Sequence, residues 1–169
     1  MNIRVYPEYY EGDLLSEGIE IFGDRSHGFS RMNLQVSGKI ECFYDKVGDD
    51  GSNTPSTGAF IPCVYELNDV AIGLVCCMDI NNPVVYAPVI ERLNKSLLKH
   101  KVLAISAYMT DKSWFSGESL QPYLCGFNVV LSNGCAYGPR SFISDENGLK
   151  LKSLELSLGN RKLINCGNT

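Results

Sequence analysis

No stretch of this chain approaches the roughly 20 consecutive apolar residues that a membrane helix needs, so no membrane-spanning helix is expected. A basic segment followed by an apolar run is missing from the N-terminus, so no secretory leader is expected either. Basic charge is short overall: 15 Lys and Arg face 19 Asp and Glu, for a net charge of −4. That balance disfavours nucleic acid and anionic membrane as partners, since both select a basic footprint. Histidine is nearly absent, with only His27 and His100. The seven cysteines contain no C-x-x-C pair, so no zinc ribbon is expected, and neither metal nor cofactor is expected. No phosphate-cradling G-x-x-x-x-G-K and no Asp-x-Asp-x-Asp-Gly calcium register occurs, so Gly12, Asp13 and the 48–51 run GDDG read as ordinary turns. No internal repeat and no low-complexity tract is present.

What remains is one domain across residues 1–169, long enough to bury a sizeable core. The cysteines sit mostly among apolar or small neighbours (LVCC, YLCGF, NGCAY), where a free thiol behaves as a small hydrophobe. Free thiols imply a reducing compartment, the cytoplasm. The alternative is a disulfide between a strand cysteine and Cys166.

Apolar and β-branched runs place strands at Ile3 to Tyr6, Ile19 to Phe22, Met32 to Val36 and Lys39 to Tyr44. The last two form a hairpin around Ser37-Gly38. Residues 9–18 read as one helical turn or a loop, and residues 24–30 and 48–58 as loops. Further strands fall at Phe60 to Leu67, Val70 to Cys76, Val102 to Ser106 and Phe127 to Ser132. A second hairpin is expected around Asn147-Gly148, between Arg140 to Ser144 and Leu149 to Leu156. The strongest helix runs from Pro83 to His100. Asn82 is its cap, Pro83 its first residue, and Val89, Ile90, Leu93, Leu97 and Leu98 form one apolar face. A second helix is expected from Ser116 to Gly126. Helices alternating with strands in the middle of the chain imply an α/β fold: a mixed sheet with helices on one face, and a second sheet or a partner on the other.

The segment VAIGLVCCMDINNP, Val70 to Pro83, is the most informative part of the chain. A buried strand stops at two cysteines just before a helix start. Backbone N–H groups and the helix dipole favour negative charge at such a position, which implies a lowered thiol pKa and a nucleophile. Period-2 alternation points the two thiols to opposite faces, one into the core and one into a site. His27 and His100 raise a Cys/His thiol-hydrolase alternative. However, His27 lies in a polar loop, and His100 reads as a helix C-terminal dipole partner.

Five short motifs, in order, resemble the carbon–nitrogen hydrolase (nitrilase) superfamily. They are VYPE, SGKIECFYDK, GLVCCMDINNP, NVVLSNG and GPRSFISDENG. The resemblance implies a nitrilase-like α-β-β-α sandwich and hydrolysis of a small amide, carbamoyl compound or nitrile through a thioester. It assigns Cys77 as nucleophile, Glu8 as general base and Lys46 as stabiliser of the oxyanion. Cys77 is preferred over Cys76 because the pattern puts an acid two residues after the nucleophile, and only Asp79 fits. Met78, Asp79, Trp114 and Asn133 are the implied oxyanion or substrate contacts. Asp111 and Phe115 flank Trp114 in a loop after a strand, and Trp114 reads equally as a packing anchor. The aromatic cluster Tyr6, Tyr9 and Tyr10 reads as core or interface.

Two departures from the family pattern lead to a second expectation. The Glu-bearing strand begins almost at Met1, without the family's preceding strand and helix. The family's second Glu, after the Lys, has no counterpart among residues 48–58, and Glu66 and Glu118 are distant. The alternative is therefore a catalytically inactive nitrilase-like scaffold or partner-binding protein. In either case a second copy or a partner chain is expected to cover the exposed sheet edge.

Overall fold

The structure is a computed structural model, and it describes residues 2–8, 13–15, 17–24, 30–48, 60–108, 126–134, 141–144 and 150–154. Ten strands are described, in two sheets. They are β1 (Ile3–Val5), β2 (Ile19–Asp24), β3 (Arg31–Val36), β4 (Lys39–Asp45), β5 (Val64–Leu67), β6 (Val70–Cys76), β7 (His100–Ala107), β8 (Asn128–Asn133), β9 (Ser141–Ser144) and β10 (Lys150–Leu154). The first sheet has the order β1-β2-β3-β4 and the second β10-β9-β8-β7-β6-β5. Strands β6, β7 and β8 are parallel to one another, and the rest of the second sheet is antiparallel.

Local chemistry sets the hairpins. Ser37 and Gly38 both take positive φ, 50° and 84°, the backbone twist that joins two antiparallel strands through a two-residue turn. Asn68, at φ 56°, turns β5 into β6 in the same left-handed region, which Asn tolerates better than most residues.

The two sheets stack face to face. β1 and β2 lie over β7, β3 over β6 and β4 over β5. Ile3, Val5, Ile19, Ile21, Met32 and Leu34 from the first sheet share one core with Ile72, Leu74, Leu103 and Ile105 from the second. The cover expected for the second sheet's other face is thus a sheet, not a partner. Strand β6 is buried along its whole length, as a run of Val, Ile, Leu and Ala between two layers should be.

One helix, α1 (Pro83–Lys95), packs on the outer face of β6. Its Asn82 cap accepts from the Val84 N–H at 3.1 Å, with Pro83 in the first turn, as the sequence predicts. Val85, Val89 and Leu93, spaced by four, are its buried stripe. Gly73 makes room for them: a Cβ there would lie 2.7 Å from Val89 and 2.8 Å from Leu93. The helix ends earlier than the sequence suggests. Ser96 leaves helical geometry at ψ 135°, Leu97 is fully exposed and Leu98 only half-buried. His100 therefore opens β7 instead of closing a helix, and its imidazole lies 3.6 Å from Asp69. The strand expected from Phe60 is formed only from Val64. The helix expected at Ser116 to Gly126 lies almost wholly outside the described residues.

The free-thiol reading is corrected at two positions. Cys42 on β4 and Cys63 just before β5 form a disulfide, with Cα atoms 6.1 Å apart. β4 and β5 are edge strands of the two sheets and lie against each other, which brings residues 21 apart in sequence together. Cys76 and Cys77 are free. Cys166, the other disulfide candidate, lies outside the described residues.

Candidate active site

The parallel strands β6, β7 and β8 end on one rim, and the first sheet delivers Glu8 and Lys46 to the same place. Glu8 follows β1 and is held by backbone contacts on both sheets. The Tyr6 N–H donates to the Ile21 carbonyl at 2.8 Å, the Ser106 hydroxyl donates to the Tyr6 carbonyl at 2.8 Å, and the Glu8 N–H reaches the Ala107 carbonyl at 3.4 Å. Gly23 is required for this approach, because a Cβ there would lie 2.1 Å from the Glu8 carbonyl oxygen. Lys46 follows β4, and its N–H donates to the Ser30 carbonyl at 2.8 Å.

These two anchors bring a carboxylate and an ammonium together across 38 residues. Lys46 Nζ donates to Glu8 Oε1 at 2.9 Å, and both residues are 1% exposed. The Ser30 hydroxyl donates to the same Oε1, also at 2.9 Å. Oε2 receives no N–H or O–H donor among the described residues. The Cys77 thiol lies close enough to this carboxylate for the Glu8 charge to act on its proton.

Cys77 leaves β6 with φ 48°, a left-handed conformation that is uncommon for a residue with a Cβ. The turn takes it out of the strand's alternation and toward Glu8. Cys76, the last strand residue, is fully buried, and its backbone N–H donates to the Tyr44 hydroxyl.

The expectation of a lowered thiol pKa is overturned. The Cys77 pKa is pushed up to about 12, first by burial and then by the Glu8 charge; the Lys46 ammonium and a backbone donor at Tyr108 pull it only part of the way back. The helix-dipole argument fails on distance along the chain. A short 3-10 helix, Cys77–Asn81, intervenes, and α1 begins at Pro83. The dipole effect fades within a helix's first turn. The resting form is therefore a neutral thiol beside a carboxylate. Burial likewise pushes the Cys76 thiol and the Tyr44 hydroxyl well above their ordinary values.

The remaining expected contacts divide three ways. Asp79 is fully buried, and its carboxylate faces backbone instead of open space. It accepts from the Val47 N–H at 3.1 Å and the Gly48 N–H at 2.6 Å, and the nearby Tyr44 hydroxyl also favours its charge. Asp79, expected as an oxyanion or substrate contact, thus spends both carboxylate oxygens on backbone N–H groups. Asn133 ends β8, fully buried and in register with Ala107, next to the carbonyl that receives Glu8. Met78 directly follows Cys77 and is half-buried. Trp114, Asp111, Phe115, Tyr9, Tyr10, His27 and Glu118 lie outside the described residues. Glu66 is exposed on β5 and does not supply a second carboxylate to the site. No cluster of His, Cys, Asp and Glu among the described residues is arranged to hold a metal ion.

Sequence reasoning missed three residues. Ser30 precedes a strand with no local signal that its hydroxyl would meet Glu8. Tyr108 contributes backbone, which no side-chain pattern reveals. Tyr44 had a usable signal: it is two residues from Cys42 and two from Lys46, so period 2 places it on the inward face of β4.

Comparison with solved structures identifies the architecture. The chain superposes on a Nesterenkonia sp. AN1 amidase of the nitrilase superfamily with a TM-score of 0.64. This chain has the nitrilase-superfamily fold. A glutamate-to-glutamine variant of that amidase, showing Michael addition of acrylamide at its active-site cysteine, matches with a TM-score of 0.65 and 16% identity, over 83% of this chain and 59% of its own. A glutamate-to-leucine variant with the acetamide moiety of fluoroacetamide attached to that cysteine gives 0.62 and 16%, over 83% and 58%. A cysteine-to-alanine variant in complex with butyramide gives 0.63 and 15%, over 83% and 58%. The chain thus spans under three-fifths of the length of the amidases it matches. No protein-family model matches the sequence, and no curated protein matches it.

Proposed function

We propose that this protein hydrolyses a non-peptide carbon–nitrogen bond in a small molecule, an amide, a carbamoyl compound or a nitrile, with Cys77 as nucleophile. The observation that carries this reading is the buried junction of Glu8, Lys46 and Cys77, drawn from three separate parts of the chain.

A thiol held neutral near pKa 12 needs its proton removed as it attacks. The Glu8 carboxylate lies beside it, with Oε1 fixed by Lys46 and Ser30 and Oε2 without a nitrogen or oxygen donor among the described residues. In the proposed reaction on an amide, Sγ bonds to the carbonyl carbon while its proton moves to Glu8. The oxyanion that forms is stabilised by the Lys46 ammonium and the Met78 backbone N–H, each such donor being worth about 3–4 kcal/mol of barrier. Glu8 then returns the proton to the departing nitrogen, and ammonia or an amine leaves a thioester on Cys77. Water attacks the thioester, Glu8 accepts its proton, and the carboxylic acid leaves as the thiol reforms. On this reading Asn133 and Trp114 contact the substrate, and a second copy or partner chain packs at the β1 edge.

The nitrilase-superfamily amidase supports the substrate class by analogy, since its variants were captured with butyramide and with an acetamide group on cysteine. The test is ammonia release from a panel of short aliphatic amides by wild type, Cys77→Ala and Cys76→Ser. The reading requires activity in wild type and Cys76→Ser and its loss in Cys77→Ala. Hydrolysis that survives removal of Cys77 would defeat it, and inactivity of the wild type across the panel would favour the scaffold reading.

A further inference from the structure

We infer that Asp79 and Tyr44 are positioning residues, a clamp that fixes Lys46 against Cys77. The inference rests on the proposed hydrolase reading for its catalytic meaning, but its geometry is independent of it. Asp79 is two residues beyond Cys77, on the 3-10 helix that carries the nucleophile. Its two oxygens accept from the N–H groups of Val47 and Gly48, the two residues directly after Lys46. The loop that begins at Lys46 is thereby tied to the cysteine turn by two charge-assisted hydrogen bonds, a stronger class than neutral pairs.

Tyr44 closes the arrangement from the other side of Lys46. Its hydroxyl accepts from the N–H of Cys76, the residue directly before the nucleophile, and lies near enough to the Asp79 carboxylate to favour its charge. Its ring is fixed edge-on against Phe60, with centroids 5.4 Å apart. Lys46 is therefore bracketed by Tyr44 and Val47-Gly48, and Cys77 by Cys76 and Asp79. The partners on each side of the lysine bind the partners on each side of the cysteine. Gly48 belongs to the same device, because a Cβ there would lie 2.7 Å from Asp79 Oδ1 and displace the carboxylate. Asp79 is fully buried and its oxygens are engaged by this backbone, so it is not placed to bind substrate. Its contribution passes through Lys46.

The experiment compares the rate of Cys77 alkylation by iodoacetamide, read at peptide level to separate it from Cys76, in wild type, Asp79→Asn, Lys46→Gln and the double variant. Lys46 favours the thiolate of Cys77. Its removal should slow alkylation by roughly three- to tenfold, since an adjacent opposite charge is worth one or more pKa units and nucleophilicity partly offsets the change. Asp79→Asn should slow it at least about twofold and should add nothing once Lys46 is gone, because effects transmitted through one residue do not sum. Backbone amide exchange should accelerate at Val47 and Gly48 in Asp79→Asn. If that variant fails to fold, Gly48→Ala disturbs the clamp from the opposite side and should give the same pattern. An unchanged alkylation rate, or a double variant slowed by the product of both single effects, would overturn the clamp. Ammonia release is measured on the same samples. A wild type that is inactive yet shows the non-additive alkylation pattern would defeat the hydrolase reading alone. An active wild type without that pattern would defeat the clamp alone.

Discussion

Replacing Glu8 by Gln should move two reactions of Cys77 in opposite directions. After burial, the Glu8 charge is the main influence that holds the thiol neutral, at a pKa of about 12. At pH 7 a thiol with that pKa is thiolate in only about one molecule in 10⁵. Gln is nearly isosteric and leaves the Lys46 ammonium in place, so the thiolate loses a repulsive neighbour and keeps an attractive one. A neighbouring charge shifts a pKa by about one to two units at such range, and each unit raises alkylation about threefold after the loss of intrinsic nucleophilicity. Glu8→Gln should therefore accelerate iodoacetamide alkylation at pH 8 by roughly three- to tenfold. The same change removes the proton acceptor and should slow amide hydrolysis by about 10²- to 10⁴-fold. The wild-type alkylation rate should climb with pH without a plateau below about pH 10. A plateau near neutrality, or alkylation that falls together with hydrolysis in Glu8→Gln, would refute the account of a neutral thiol beside a carboxylate.

Three further outcomes are expected. Ser30→Ala removes a buried hydrogen bond to Glu8 Oε1 and should lower stability by about 1.5–3 kcal/mol in denaturant melts, with a loss of hydrolysis that Ser30→Thr partly restores. Reducing the Cys42–Cys63 disulfide, or replacing both residues with Ser, opens a loop of 21 residues and should cost about 3 kcal/mol of unfolding free energy by the loop-entropy relation. Stability should also fall in alkali. The Cys77, Cys76 and Tyr44 pKa values are all raised, so the folded state holds protons the unfolded chain releases; the contribution is full below about pH 9 and is lost as pH rises toward 12 and beyond. Thermal melts should show Cys77→Ala losing less stability than wild type between pH 9 and pH 11.

Much of the scaffold was legible because its elements are locally determined. Strand β6 shows as a continuous apolar run, α1 as a Pro start behind an Asn cap, and the Ser37-Gly38 turn as residues suited to left-handed backbone. The end of α1 is not legible in the sequence, because Leu97 and Leu98 continue the helical period although Ser96 turns the chain away and Leu97 is fully exposed. In the site, Glu8, Lys46 and Cys77 could be named from short ordered motifs, but the protonation of the thiol could not. It depends on desolvation and on a carboxylate 69 positions away, neither of which local sequence encodes. Asp79 was picked out for its spacing from Cys77, yet its partners are backbone N–H groups, and backbone donors leave no mark in a side-chain pattern. The Cys42–Cys63 pairing likewise depends on two sheet edges meeting, a feature of tertiary structure alone.

The proposed reaction is covalent, with an acyl group passing through the sulfur of Cys77. Its most direct measurement is mass mapping of acid-quenched protein after incubation with a short aliphatic amide. The expected result is an acyl adduct on Cys77, lost in Cys77→Ala together with ammonia release. An adduct on Cys76, or ammonia release continuing in Cys77→Ala, would contradict it.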